Sequence, residues 1–322
     1  MVRTVTLGDG RLDVTPIGLG CMPFSGPGRA ARLAMKPLDQ DTVTGVVRAA
    51  LAGGVRWFDT AEMYGGGHSE RALTTALHAC GVRPGEVVIA TKWVPIGRRA
   101  GHLERSVEQR LDCLQGFGID LHQVHVPVGG LSSLRAQLVA MARLVRAGLV
   151  RHVGVSNFSA RGTVAAHRLL ADEGVPLVSN QVRLHLLHRD VERNGVLEAA
   201  RGLGVTLIAH SPLESGLLTG RFHADPALAA ALPPLRRLLR RRALSPSGLA
   251  RTAPLIDELR AIGTARGLSV AQVALAWLVT NYGDTVVAIP GASTPRQATE
   301  AAAAADVTLD ADELARLDAR SR

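Results

Sequence analysis

One pattern constrains this chain more than any other. Short runs of β-branched and aliphatic residues alternate with longer stretches of helical spacing, about eight times over. The apolar runs fall at Pro16–Leu19, Arg56–Asp59, Val87–Thr91, Leu121–Val126, Val153–Ser156, Val178–Gln181, Val205–Ala209 and Val286–Ile289. Between them apolar positions recur at helical intervals, as in Thr42–Ala52, Glu70–Ala79, His102–Leu114, Leu131–Ala147 and Val191–Arg201. Near-continuous apolar strands separated by helices predict a parallel sheet covered on both faces. Eight such units favour the α/β class and a closed (β/α)8 TIM barrel. An open doubly wound sheet is the runner-up, and it lacks the G-x-G-x-x-G turn expected after its first strand. Two parts lie outside the repeat. Residues 1–12 read as an N-terminal β-hairpin turning at Gly8-Asp9-Gly10. Residues 212–253 read as a long loop after strand 7, the kind of connection that serves as a lid or binding loop. Nothing in the pattern marks a second domain, so residues 1–322 are expected to form one barrel domain.

Composition narrows the function classes. The chain of 322 residues is 47 % hydrophobic, ample for a large core. No apolar run reaches the ~18 residues of a membrane span, and the start carries no signal-peptide core. Cys21, Cys80 and Cys113 are far apart and odd in number, which suits free thiols and a cytoplasmic location. The net charge of +9 is mostly spread among acids, with one concentrated run from Arg236 to Arg242. Aromatic residues make up only 3 %, so neither a base-stacking surface nor a nucleic-acid partner is expected. Of 37 basic residues only Lys36 and Lys92 are lysine, and Tyr64 and Tyr282 are the only tyrosines.

In a barrel of this kind the chemistry collects where strands end. The strand ends read in order are Asp59, Lys92, His125, Ser156-Asn157, Gln181, His210-Ser211 and Gly291, with Tyr64 five residues beyond Asp59. A tyrosine titrates near ~10, and drawing it down ~3 units takes ~4 kcal/mol. One ammonium at ~4 Å, at an effective dielectric of ~20, supplies about that much. Lys92 is therefore expected to tune Tyr64 as the general acid, with Asp59 keeping the ammonium protonated. A neutral His125 would donate to a substrate oxygen.

Blander readings compete with these roles. Asp59-Thr60 can simply cap a loop, and Lys92 can be a structural ion-pair member. His122 and His125 mimic a metal pair, but residues three apart on a strand face opposite ways, so no metal site is expected. Gly65-Gly66-Gly67 lacks the Lys-Ser/Thr of a phosphate loop and reads as the tight turn behind Tyr64. Ser69-Glu70 reads as a helix start.

These residues together resemble the aldo-keto reductase family over nearly the whole chain. Trp57 to Glu70 resembles its signature loop with the catalytic aspartate and tyrosine. Ala90-Thr91-Lys92-Trp93 resembles its lysine strand, and Asp120 to His125 its histidine strand. Gly154 to Phe158 and Asn180-Gln181-Val182 are similar to its carboxamide-binding segments. Ala209 to Leu213 and Ile289 to Ser293 are similar to its two cofactor loops. The resemblance implies a nicotinamide-dependent reductase of aldehydes or ketones with Asp59, Tyr64, Lys92 and His125 as its catalytic set. It implies that Ser156, Asn157 and Gln181 hold the carboxamide. His210, Ser211, Leu213, Gly291, Ser293, Arg296, Gln297 and Glu300 would line the rest of an NADPH site, with NADH also possible. Several positions depart from the family. His210 stands where an aromatic platform is usual, Ala301 where Asn is common, Val128 where an acid is common and Leu184 where an aromatic is common.

The implied partner is a small-molecule carbonyl compound. Met22, Phe24, Trp93, Pro95, Val126 and Val128 are expected at the mouth, which favours a fairly apolar substrate, while the insertion's arginines leave an anionic or sugar-like group open. Two other functions remain: a cofactor-binding regulatory subunit with vestigial redox chemistry, and a Schiff-base lyase acting through Lys92.

Overall fold

The computed structural model describes residues 3–9, 11–28, 32–33 and 35–321. Eight strands form one parallel sheet in chain order. They are β3 (Leu19–Gly20), β4 (Trp57–Asp59), β5 (Val88–Trp93), β6 (Ile119–Val124), β7 (Val150–Ser156), β8 (Leu177–Arg183), β9 (Thr206–His210) and β10 (Val286–Ile289). The first and last are joined. Ile17 bridges Ala288 and Gly20 bridges Gly291, both parallel, with Gly20 N–H donating to Pro290 O at 3.0 Å. A Cβ on Gly20 would lie 2.8 Å from Ile289 O, so only glycine lets this seam close. The expected (β/α)8 barrel is the observed one.

Both faces of the strands are covered, which is why the runs read as continuous rather than alternating. Every residue of β6 and β10 is buried. The interior is filled near the strand N-termini by Trp57, Leu121, Val178, Ile208 and Val287. The hairpin of β1 (Val5–Leu7) and β2 (Leu12–Val14) plugs that end, placing Val5, Leu7, Leu12 and Val14 in the same cluster. Trp57 donates from its indole to Thr15 O at 2.9 Å and Gly8 N–H to Thr206 Oγ1 at 3.2 Å. The expected turn includes Gly10, which lies outside the described residues. Among the described residues the hairpin covers that end, which leaves the strand C-termini as the open face.

Helices of the outer layer begin where their caps dictate. Asp39, Ser133, Ser159, Ser269 and Thr294 accept from the first-turn amides of α1 (Gln40–Ala52), α4 (Leu134–Arg146), α5 (Ala160–Ala171), α10 (Val270–Asn281) and α11 (Pro295–Ala303). Between α1 and α4 lie α2 (His68–Ala79) and α3 (Gly101–Cys113). The stretch read as one helix over 191–201 is broken: a 3-10 turn at Asp190–Glu192 is followed by α6 (Val196–Gly202), because Gly195 takes φ +79° between them. The insertion carries its own short helices, α7 (Arg221–Ala224) and α8 (Pro234–Arg240), over a small core of Leu217, Phe222 and Leu249. It ends earlier than expected. Ser245 caps α9 (Pro246–Arg266) and Pro246 occupies its first turn, so residues 246–253 are helix rather than loop. Among the described residues no single helix is long and apolar enough to cross a membrane.

Candidate active site

At the open end the strands deliver a buried ion pair. Lys92 Nζ donates to Asp59 Oδ1 and, at 2.8 Å, to Thr60 O; the lysine side chain is 0 % exposed. Gln123 and Gln181 donate from Nε2 to the other oxygen, Asp59 Oδ2, at 3.2 and 2.8 Å. Burial pulls the Lys92 ammonium down, but the charge and hydrogen bond of Asp59, together with Tyr64, outweigh it and hold it above its ordinary value. Lys92 is thus a charged ammonium in a dry place, as the sequence implies.

Tyr64 sits against that charge. Lys92 Nζ lies 5.3 Å from the centre of its ring, and the His125 ring meets it edge-on at 5.9 Å and 81°. The loop that carries Tyr64 is tied at many points. Glu62 N–H bonds Lys92 O and its carboxylate accepts from Val94 N–H at 2.8 Å and from Arg98. Gly65, Gly66 and Gly67 take φ of +72°, +63° and +92°. A Cβ on Gly65 would fall 2.0 Å from Ser25 O, so the triple glycine is the tight turn expected of it. Behind it, in the helix layer, Glu70 bonds Arg110 and Thr91, each at 2.7 Å, and Thr60 bonds Ser69 at 2.8 Å.

One expectation is corrected. Burial raises the Tyr64 phenol; Lys92 lowers it; Asp59 and Cys21 raise it again, and the net displacement is upward rather than toward neutrality. The burial that brings the ammonium close also withdraws the water that would solvate a phenolate, and that effect is the larger. His125 follows the expectation of neutrality. Burial first, then Lys92 and His210, bring it down to about 3, and its Nδ1 has no hydrogen-bond partner. His122 points away into the helix layer, buried and drawn to about 3 by burial and Arg110, and it shares nothing with His125. No group of metal-ligating side chains occurs among the described residues.

The remaining predicted residues fall in three places. Ser156, Asn157, Gln181 and His210 are contiguous at the ends of β7, β8 and β9. Ser156 Oγ donates to Gln181 O at 3.0 Å and accepts from Asn157 Nδ2 at 2.9 Å. Asn157 Nδ2 also faces His125 O at 3.4 Å, so its Oδ1 is left to accept from His210 Nε2 at 3.1 Å, and Ser211 Oγ then donates to His210 Nδ1 at 3.2 Å. Burial, then Lys92 and Arg183, hold His210 down at about 4. Ser211 and Leu213 begin the second place, the loop after β9. Four of the five non-glycine residues with positive φ among the described residues are Asn157, Ser211, Glu214 and Ser215, all on these two loops. Successive left-handed residues turn backbone N–H groups toward one concavity. The third place is the seam and α11. Gly291 closes the barrel, Ser293 N–H bonds Gln297 Oε1 at 2.8 Å, and Arg296 pairs with Glu300 at 3.6 Å.

Several residues escaped sequence reading. Gln123 carries a signal that was available: it is two positions before His125, hence on the same strand face. Glu214 does not. Arg183, His185 and Arg240 surround its carboxylate, and despite burial the hydrogen bonds and charges of His185 and Arg183 hold it at about 2. Phe24, Trp93 and Pro95, expected to line the mouth, are buried behind it. Exposed apolar side chains on the loops after β3, β4, β5 and β6 include Met22, Met63, Ile96, Val128 and Leu131.

Comparison with known proteins agrees with this geometry. The model of the Aldo/keto reductase family matches residues 16–322. An uncharacterized oxidoreductase of Mycobacterium bovis is 36 % identical over 307 residues, covering 94 % of this chain and 88 % of that protein. A chloroplastic pyridoxal reductase of Arabidopsis thaliana is 31 % identical, covering 96 % of this chain and 84 % of that protein. Among solved structures, a thermostable aldo-keto reductase crystallised with the inhibitor epalrestat superposes with a TM-score of 0.77 at 29 % identity, covering 99 % of both chains. An aldo-keto reductase from Klebsiella pneumoniae in complex with NADPH gives 0.72 at 28 %, covering 99 % of this chain and 95 % of that one.

Proposed function

We propose a specific reaction for this chain, which belongs to the aldo-keto reductase family: NADPH-dependent reduction of an aldehyde or ketone to an alcohol, with Tyr64 as the proton donor. The observation that carries the reading is the fully buried ammonium of Lys92, held by Asp59, 5.3 Å from the Tyr64 ring at the barrel end opposite the hairpin. When bound, the reduced nicotinamide supplies the hydride that reaches the carbonyl carbon.

The residues fit such a cofactor. The loop after β9, left-handed at Ser211 and again from Glu214 to Gly216, would present backbone N–H groups to a pyrophosphate. Asn157 is exposed at the mouth, and Ser156 and Gln181 lie beside it; these three would hold the carboxamide. His210, neutral at physiological pH because burial and its cationic neighbours hold it near about 4, can stand under the ring without adding a charge. Arg296 is exposed beside the Thr294-capped N-terminus of α11, with Ser293 and Gln297 next to it, and favours the extra phosphate that distinguishes NADPH from NADH. Glu300 holds that guanidinium.

The chain's own groups complete the reaction. Tyr64, raised by burial, is protonated at neutral pH and so is loaded to donate from its hydroxyl to the carbonyl oxygen. Lys92 stabilises the phenolate left behind. Neutral His125 donates one hydrogen bond to the same oxygen and orients it. Met22, Met63, Ile96 and Val128 ring the mouth with exposed apolar surface and favour a hydrophobic carbonyl compound over a charged one. The test is a panel of aliphatic, aromatic and anionic aldehydes and ketones assayed with both nicotinamides. Turnover of apolar aldehydes with a preference for NADPH supports the reading. Tight NADPH binding with no turnover of any carbonyl would overturn it.

A further inference from the structure

Lys92, Gln123, Gly154 and Ser179 form one transverse row across β5, β6, β7 and β8. Asp59 pairs with Ala90, two residues before Lys92, and its side chain meets this row. Gln123 is fully buried, and its Nε2 meets Asp59 Oδ2 at 3.2 Å beside that of Gln181 at 2.8 Å. A carboxylate only accepts, so the amide edge facing it must be the NH2 edge. Gln123 therefore cannot turn over, although its Oε1 is left buried with no partner, as is Ser179 Oγ. An unmet buried acceptor is unfavourable and rare in native structures. Gly154 makes the space: a Cβ there would come within 2.4 Å of Ser179 Oγ and 3.0 Å of Gln123 Cγ. A side chain that strands its own carbonyl to keep one N–H on Asp59 is serving Asp59.

We propose that Gln123 is a positioning residue of the reaction, forming with Gln181 an amide clamp that fixes Asp59 Oδ2 and so aims Oδ1 at Lys92. The proposal rests on the reading of Tyr64 as the proton donor. Two N–H dipoles on Oδ2 draw off part of the carboxylate's negative field, which otherwise opposes the phenolate. They also fix the carboxylate plane, and with it the place of the ammonium. The groups that face this pair are Cys21, Tyr64, His125 and His210, none of which donates to Oδ2. Loss of Gln123 leaves that oxygen with one donor. The phenolate of Tyr64 then becomes harder to form, and the proton is given up less readily.

The chain offers an unusually direct readout. Tyr64 and Tyr282 are the only tyrosines, and Tyr282 is pushed far above its ordinary value by burial and its bond to Glu192. In a Tyr282→Phe background, used for every variant below, an alkaline titration of the phenolate absorbance band reports Tyr64 alone. Gln123→Met keeps the volume and removes the donor; Gln123→Asn keeps the amide and withdraws it from Asp59, and carries the test if the first variant does not fold. Both are expected to move the phenol titration, and the alkaline limb of kcat with it, to higher pH. At neutral pH kcat should fall about three- to tenfold with KM little changed. A fall in kcat with the titration in place would reduce Gln123 to a packing role and overturn the proposal, as would no change in either. Tyr64→Phe separates the two readings: full activity in that variant sinks the proton-donor assignment, whereas the titration of the Gln123 variants needs no turnover at all.

Discussion

Replacing Lys92 with methionine removes the ammonium while nearly keeping its volume, and the structure sets the size of the effect. A unit charge 5.3 Å from the Tyr64 ring centre, at an effective dielectric of ~20, favours negative charge there by about 3 kcal/mol. If most of that charge has formed on the phenol oxygen in the transition state, kcat/KM falls about 100-fold. A second consequence is structural. Asp59 keeps only its two amide donors, and stranding one member of a buried pair costs about 3–5 kcal/mol of stability. Asp59→Asn with Lys92→Met removes both charges and should recover much of the lost stability while activity stays low. The assay is NADPH consumption with an apolar aldehyde, alongside thermal melts of both variants. A folded Lys92→Met protein within threefold of the parent would refute the electrostatic argument, because Lys92 is the cation that bears on the phenol among the described residues.

Other consequences are smaller or lie away from the reacting atoms. Arg110→Met leaves Glu70 buried without its cation beneath the Tyr64 loop; we expect about 3 kcal/mol of destabilisation and a melting temperature lower by about 5 °C or more, read by calorimetry. An unchanged melt would mean that the pair does not secure that loop. His122 is held at about 3 against an ordinary 6.5, so it is neutral in the fold and binds a proton when the chain unfolds in acid. Its contribution is therefore fully present above pH 6.5 and declines as the pH falls toward 3. His122→Phe should flatten the loss of stability across that window in urea melts, with His125 and His210 unchanged in both proteins; identical slopes would count against it.

How much of this was legible depended on which force fixed each feature. Strands buried on both faces announce themselves, and the apolar run Val286–Ile289 coincides with β10. Helix starts are less legible where a cap lies inside the apolar pattern: Ser133 delays α4 to Leu134, and Ser245 with Pro246 starts α9 inside the stretch expected as loop. The scarcity of lysine and tyrosine pointed to Lys92 and Tyr64, and the fold brings the two side chains together. The contact of Gln123 with Asp59 was not legible, because it arises only through barrel register. Nor was the direction of the Tyr64 displacement, since a charge can be counted along a sequence and the water withdrawn from around it cannot. The same limit hid Glu214, whose cations come from β8 and from α8, 57 residues apart as Arg183 and Arg240.

The central claim is that the hydroxyl of Tyr64 gives its proton to the substrate oxygen. Tyr64→Phe removes that oxygen alone. The account predicts that this variant binds NADPH with unchanged affinity, judged by quenching of tryptophan fluorescence, yet reduces aldehyde at least about 100-fold more slowly. Parent-level turnover by the phenylalanine variant would contradict it.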